Sequence, residues 1–95
     1  MATYRLSPEA EADLIRIHQW GIRNHGEVRA DRYFWKLIDC FESIALNPLH
    51  YQAVDEIRTG YRRCVCGRDS IYYRIADDTV EIMTIIGQQE FDSWL

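Results

Sequence analysis

Residues 61–86 decide the fold, and they read YRRCVCGRDSIYYRIADDTVEIMTII. Within this stretch the segments 61–66, 71–75 and 80–86 have a side-chain period of two, which is typical of β-strands. The two connections between them are short and contain glycine or paired aspartates, which indicates tight turns. Strands joined by such short turns must be antiparallel. The stretch therefore predicts a three-stranded meander.

Two helices are predicted upstream of the meander. Ser7 suits a helix N-cap and Pro8 suits the first helical position, so the first helix begins here and runs to about Asn24. Gly26 suits a C-terminal cap, and a second helix follows over about 27–46. The apolar residues of this second helix recur at steps of four and three: Ala30, Phe34, Leu37, Phe41 and Ile44. Because the connection is short, the two helices form an antiparallel hairpin.

The remaining segments complete the order of elements. Residues 2–6 alternate and predict a short strand, whereas 47–57 read as a loop because proline at 48 ends the second helix. Glu9, Glu11 and Asp13 complement the positive end of the first helix dipole. The order is therefore β-α-α-β-β-β, which predicts an α+β fold with a helical hairpin packed on an antiparallel sheet.

The composition is that of one globular domain. The chain has 95 residues, of which 47% are hydrophobic and 27% are charged, so we expect a single domain over residues 1–95. The N-terminus has no signal-peptide pattern, and no apolar run approaches the ~20 residues of a membrane span. We therefore expect a soluble, cytoplasmic protein that does not contact a membrane.

The cysteines and histidines predict neither a disulfide nor a metal site. On a strand, Cys64 and Cys66 would lie about 6–7 Å apart, which is too far for a bond between them. His18, His25 and His50 are scattered and show no ligand spacing. We expect three free structural thiols, as in a reducing compartment, and no metal or cofactor.

An arginine-rich strip stands out in a chain whose net charge is -4. Residues 58–74 contain five arginines and one acid, Asp69, so the strip carries +4 and leaves -8 for the rest of the chain. The five are Arg58, Arg62, Arg63, Arg68 and Arg74. Such a strip on an acidic protein favours a partner with an acidic segment. The alternative is that these arginines only keep exposed strands soluble and discourage edge pairing.

Two adjacent arginines of the strip are expected to serve two faces of the sheet. Side chains alternate along a strand, so Arg62 points with Cys64 and Arg63 points with Val65. One arginine can pair with an acid at the edge of the helical layer. The other can face outward, available to carboxylates of a partner.

The first helix has a second apolar row, formed by Ile15, His18 and Ile22. A single core needs only one row, namely the one that contains Leu14 and Ile17. The second row is therefore either additional core or a surface that binds a partner.

The order of elements and several short segments resemble the ParE toxins of the RelE/ParE superfamily, the toxin members of bacterial type II toxin–antitoxin pairs. The segments are LSPEAEADLI (6–15), ADRY (30–33), LNP (46–48), DEIRTGYRR (55–63), GR (67–68), IYYR (71–74) and VEIMTII (80–86). Together they span nearly the whole chain. Family members often carry a histidine where this chain has Asp69, and their last strand often continues into a different tail.

The resemblance implies a function and two partners. ParE toxins inhibit DNA gyrase by trapping it on cleaved DNA, and a ParD-like antitoxin neutralises them with its C-terminal segment. DNA would be contacted only indirectly, through the antitoxin or through gyrase. For the antitoxin we predict contacts at Ile15, His18, Ile22, Arg58, Arg62, Arg63 and Arg74. For the target we predict contacts in the tail at Gln88, Gln89, Phe91 and Trp94, although Phe91 and Trp94 could instead pack back on the domain.

The superfamily also contains ribosome-dependent mRNA endonucleases, which is the main alternative. Their chemistry needs a base, a general acid and cations for the phosphorane. Arginines and tyrosines are available on the predicted sheet, but no His, Lys, Arg or Tyr follows residue 76, and the tail carries Glu90 and Asp92. We therefore predict no catalytic residues and a toxin that acts by binding. A third possibility is a non-toxic module that still binds the antitoxin.

Overall fold

A helical hairpin lies on one face of a five-stranded sheet in the computed structural model, which describes residues 3–87. The elements are β1 (Tyr4–Leu6), α1 (Pro8–His25), α2 (Glu27–Leu46), β2 (Gln52–Ala53), β3 (Arg62–Cys66), β4 (Asp69–Ala76) and β5 (Thr79–Gly87). Neither helix in the described part of the chain is long and apolar enough to cross a membrane.

The sheet has the strand order β1-β5-β4-β3-β2. The predicted α+β class and the antiparallel meander of β3, β4 and β5 are confirmed. The structure adds β2, which is too short to show a period in the sequence and pairs with Arg62 and Arg63. It also makes β1 parallel to β5, so the sheet is mixed and not antiparallel throughout as predicted. This pairing is possible because both helices and three strands lie between β1 and β5 in the chain.

Ser7 and Gly26 set the limits of α1, as the sequence indicates. The Ser7 hydroxyl oxygen accepts the N–H of Ala10 at 3.0 Å, which is a standard N-cap interaction. Gly26 has a φ of 88° and separates the two helices. The bounds of α2 agree with those predicted, and α1 extends one residue further, to His25.

The main core lies between the helices and the sheet. Leu37, Phe41 and Ile44 of α2 are fully buried against Ile71 and Ile82 of the meander. Full burial of such a side chain stabilises the fold by roughly 1.5–3 kcal/mol. This packing accounts for the clean apolar stripe of α2.

A smaller cluster lies on the opposite face of the sheet. The loop that contains Val54 covers Tyr72 and Ile86 there, while Tyr73 belongs to the main core. Both tyrosines are buried because alternate residues of β4 face opposite layers. The register between β4 and β5 shifts at this point, so that Met83 of β5 is an extra residue.

Two polar residues at the start of α1 cover the edge of β5 beyond the point where β1 ends. β1 pairs only as far as Ile82. The Ser7 hydroxyl donates to the Met83 carbonyl at 2.8 Å. Asp13 Oδ2 accepts the Ile85 N–H at 3.0 Å and the Thr84 hydroxyl at 2.8 Å. Asp13 therefore docks α1 on the sheet, a role that its position in the sequence did not indicate.

The expectation of three free thiols is wrong, because Cys40 of α2 forms a disulfide with Cys66 of β3. The two Cα atoms lie 6.7 Å apart, within the range that a disulfide spans. The sequence argument considered only neighbours on one strand, whereas this pair is 26 residues apart. Cys64 is a free, buried thiol.

Replacing Asp13 with alanine should destabilise the protein by about 1–3 kcal/mol, because the Ile85 N–H and the buried Thr84 hydroxyl would lose their acceptor. Chemical denaturation followed by circular dichroism measures the change in the free energy of unfolding. Glu11→Ala is the matched control, since Glu11 is an exposed acid of the same helix. An equal loss in both variants would mean that Asp13 contributes only through the helix dipole.

Candidate functional site

The arginines of the strip are divided between the two faces of the sheet. Arg62 points toward the helical layer, where its Nη1 donates to the carbonyls of Tyr51 at 2.7 Å and Leu49 at 3.5 Å. The sequence predicted that the arginine on this side could pair with an acid. In the structure, main-chain carbonyls take that place. On the other face, Arg63 donates to Gln52 Oε1 at 3.3 Å.

Arg74 lies in a charged row across the open face of the sheet. Its Nε and Nη2 both lie 2.8 Å from Glu81 Oε1, and Arg5 Nε lies 3.3 Å from Glu81 Oε2. The hydrogen bond from Arg74 is the main cause that lowers the pKa of Glu81. Arg58 is exposed in the loop before β3. The strip therefore does not form one continuous cationic patch.

The second row of α1 lies on the opposite layer from Arg63 and Arg74. Ile15 is 58% exposed and Ile22 is 38% exposed, so the interpretation of this row as additional core fails for both isoleucines. His18 is half-buried, and its Nε2 lies 2.7 Å from Asp31 Oδ1 of α2. Its ring also meets that of Phe34 edge-on at 5.5 Å between centroids.

A groove of about 490 Å³ lies between α1, α2 and the turn that joins β3 to β4. Its floor is apolar and includes Leu14, Ile17, Ala30, Phe34 and Leu37. Its lining also contains four permanent cations against one acid, Asp69. The cations are Arg29, Lys36, Arg68 and Arg16, of which Arg16 pairs with Asp13 at 3.4 Å. The groove is thus locally positive in a chain whose net charge is -4.

Close packing of the helices and one aromatic contact shape the groove. A Cβ on Gly21 would lie 3.1 Å from the Ala30 Cβ, so glycine allows α1 and α2 to approach closely here. The guanidinium of Arg68 lies over the Trp20 ring, 5.2 Å from its centroid. Cation–π contacts of this kind are attractive by about 0.5–1 kcal/mol at exposed sites. The contact between Arg68 and Trp20 links the turn to α1 across the groove.

Tyr33 of α2 fixes the turn at the other side of the groove. Its hydroxyl lies 2.5 Å from Asp69 Oδ2 and 3.1 Å from the Cys66 carbonyl oxygen, and it accepts the Arg68 N–H at 3.2 Å. Burial, followed by the hydrogen bond to Asp69, raises the pKa of Tyr33 to about 12. The hydroxyl therefore keeps its proton at neutral pH and remains a donor to Asp69.

The sequence did not predict this groove. Of the residues predicted to bind a partner, His18 lines it, whereas Ile15, Ile22 and the predicted arginines do not. The residues that shape it come from three separate segments, and only the Gly67-Arg68 turn gave a local signal. Gln88, Gln89, Phe91 and Trp94 lie outside the described residues. The tail that contains them follows Gly87, which lines the groove.

The arrangement is suited to binding a polypeptide segment. An apolar floor with cations around it complements an amphipathic segment that carries carboxylates, since charge complementarity adds specificity to apolar contact. Within residues 3–87 no group of three or more His, Cys, Asp or Glu side chains could hold a metal ion.

Comparison with known proteins supports one family. The family described as the ParE toxin of the type II toxin–antitoxin system, parDE, has a model that matches residues 4–90. Toxin ParE1 of Caulobacter vibrioides is 36% identical over 88 residues, which cover 93% of this chain and 91% of the relative. Toxin ParE1 of Mycobacterium tuberculosis H37Rv is 32% identical over 87 residues, which cover 90% and 89%.

Two solved structures share the fold. The chromosomal ParDE toxin–antitoxin system from P. aeruginosa contains a chain that superimposes with a TM-score of 0.81 at 16% identity, covering 92% of this chain and 96% of that one. A chain of the RelBE2 toxin–antitoxin complex from Mycobacterium tuberculosis gives a TM-score of 0.67 at 21% identity, covering 92% and 98%. At these identities the likeness shows the architecture alone.

Replacing Gly67 with alanine should move Tyr33 and disturb the groove. The new Cβ would lie 2.6 Å from Tyr33 Cε1, and the φ of Gly67 is +60°. Steric overlap and backbone strain together should cost about 2–4 kcal/mol in the free energy of unfolding. Gly60→Ala is the matched control, because Gly60 also has a positive φ, of +82°, but nothing lies within 4 Å of its Cβ position.

Thermal denaturation of both variants gives the comparison. We expect the Gly67 variant to be the less stable by at least about 1 kcal/mol, because only this variant adds overlap to strain. If the two variants lose the same stability, the contact between the turn and Tyr33 does not constrain the groove.

Proposed function

Because this chain belongs to the ParE toxin family of type II toxin–antitoxin systems, we propose that it inhibits DNA gyrase by direct binding and that a ParD-like antitoxin neutralises it. The observation that carries the proposal is the match of the family over residues 4–90. The description of that family names the parDE pair, which supports a ParD-like partner.

The groove is the proposed docking site for part of the antitoxin. An acidic, amphipathic segment would place its apolar side chains on the half-buried Ile17 and Phe34 and its carboxylates near Arg29, Lys36 and Arg68. The P. aeruginosa relative of this fold is described as a ParDE system and the mycobacterial one as a toxin–antitoxin complex. Antitoxin contacts at Ile15, Ile22 and the open-face arginines remain predictions, and a segment that reached both layers would have to wrap around the sheet.

The engagement of the sheet arginines supports inhibition by binding rather than RNA cleavage. Arg62 is held by main-chain carbonyls and Arg74 by Glu81. A nuclease needs cations that are directed at the phosphorane, and a carboxylate such as Glu81 beside Arg74 would repel an RNA phosphate. The mRNA endonuclease is therefore the weaker alternative.

The purified chain should inhibit DNA supercoiling by gyrase and increase the amount of cleaved DNA, and added ParD-like antitoxin should reverse both effects. A Phe91→Ala, Trp94→Ala double variant should lose inhibition but keep antitoxin binding, because we predict that the tail contacts the target. Supercoiling assays and titration calorimetry measure the two properties separately.

Other outcomes of this experiment point to the alternatives. No inhibition at a large excess of the chain would contradict the gyrase proposal. Cleavage of mRNA on translating ribosomes would favour the endonuclease. Normal growth on induced expression, together with intact antitoxin binding, would favour the non-toxic module.

Reversing the charge of Arg68 should weaken antitoxin binding by about 10- to 100-fold, since the variant places a carboxylate where the partner's acidic segment is expected. Arg32→Glu is the matched control, because Arg32 is exposed on α2 and does not line the groove. Arg63→Glu reports separately on the open face of the sheet. A loss with Arg63→Glu but none with Arg68→Glu would place the antitoxin on the sheet and not in the groove.

A further inference from the structure

We propose that the disulfide between Cys40 and Cys66 is a redox-sensitive clamp on the groove, and that its reduction weakens antitoxin binding. The inference rests on the proposed function, because it concerns the regulation of the same groove. It follows from the way in which α2 is attached to the end of β3.

Two tethers join α2 to the end of β3 and to the turn that follows it. The first is the disulfide from Cys40. The second is the Tyr33 hydroxyl, which donates to Asp69 Oδ2 at 2.5 Å and accepts the Arg68 N–H at 3.2 Å. Tyr33 and Cys40 are seven residues apart, which places them on the same face of the helix. The disulfide is the only covalent tether of the two.

The tethers at the end of β3 also hold the rim of the groove, which is the turn between β3 and β4. Cys66 is the last residue of β3, and the turn that carries Arg68 follows it directly. The Arg68 N–H donates to the Tyr33 hydroxyl at 3.2 Å, and the Arg68 guanidinium lies over Trp20 of α1. When the disulfide opens, only hydrogen bonds and packing keep this turn against α2. The position of Arg68 then becomes less defined.

The chemistry of the switch is thiol–disulfide exchange. Cys40 is half-buried whereas Cys66 is buried, so the thiolate of a small thiol such as glutathione attacks the Cys40 sulfur and releases the Cys66 thiolate, which takes up a proton. A second glutathione resolves the mixed disulfide. One protein disulfide and two glutathione molecules thereby give two protein thiols and one glutathione disulfide, and an excess of glutathione disulfide reverses the reaction.

The third cysteine does not compete in this exchange. Cys64 lies two residues before Cys66 on the same strand, so its side chain is set about 6–7 Å from that of Cys66. It is only 5% exposed, and burial raises the pKa of its thiol. A protonated, buried thiol is a poor nucleophile.

The clamp affects affinity through pre-organisation. A groove whose rim is already in place loses little conformational freedom when a partner binds, whereas a loose rim must be ordered at the expense of binding free energy. The oxidised protein should therefore bind the antitoxin more tightly than the reduced one.

The test uses the full chain with Cys64→Ser, so that only the two clamp cysteines can react. One sample is equilibrated with glutathione disulfide and another with dithiothreitol. Alkylation with iodoacetamide after unfolding in guanidinium chloride, followed by mass spectrometry, should count no modified cysteine in the first sample and two in the second. Hydrogen exchange of the Arg68 amide should be about tenfold faster in the reduced sample, because its opening requires less free energy. Calorimetric titration with a ParD-like antitoxin should give at least about tenfold weaker binding.

Cys40→Ser in the same background should behave as the reduced protein under both conditions, with far-ultraviolet circular dichroism that matches that of the oxidised protein. Failure of the disulfide to form in glutathione disulfide would overturn the inference, and so would equal affinities in the two redox states. If the antitoxin does not bind in either state, the proposed docking function fails. The Arg68 exchange rates still decide whether the disulfide clamps the groove.

Discussion

The fold depends on satisfying the edge of β5 beyond the end of β1. A buried N–H without an acceptor costs about 1–3 kcal/mol, and β1 stops before Met83. Ser7 and Asp13 supply the missing partners from α1. These two residues are six positions apart on the chain, so they fix both the position and the direction of the helix across the sheet. Because the connection at Gly26 is short, the position of α1 also fixes the position of α2.

The groove is a consequence of where the hairpin and the β3–β4 turn meet. Gly21 allows the helices to approach closely, and Gly67 allows the turn to lie against Tyr33. Neither glycine is proposed to contact a partner. Both are needed because they let the elements that form the groove walls pack closely together. The disulfide from α2 to Cys66 strengthens the same junction. A groove supported in this way can be pre-organised for a partner, or loosened when the disulfide opens.

The distribution of charge gives the two surfaces different roles. On the open face of the sheet, Glu81 pairs with both Arg5 and Arg74, so one carboxylate offsets part of the positive charge of the two arginines. In the groove, four cations line the walls and one of them, Arg68, lies over an aromatic ring rather than against an acid. The five arginines of the strip therefore lie in different surroundings and do not act as one surface. Among them, only Arg68 lines the groove.

The sequence by itself determined the order of all elements except β2, the bounds of α2 and the family. These depend on local features: a period of two or 3.6 residues, a serine cap before a proline, and glycines at turns. Only the tertiary structure decided the parallel pairing of β1, the Cys40–Cys66 disulfide, the docking role of Asp13 and the groove between Trp20, Tyr33 and Arg68. Each of these joins residues that are far apart in the chain. No local period or spacing encodes such contacts, because they follow from how the helical layer is seated on the sheet.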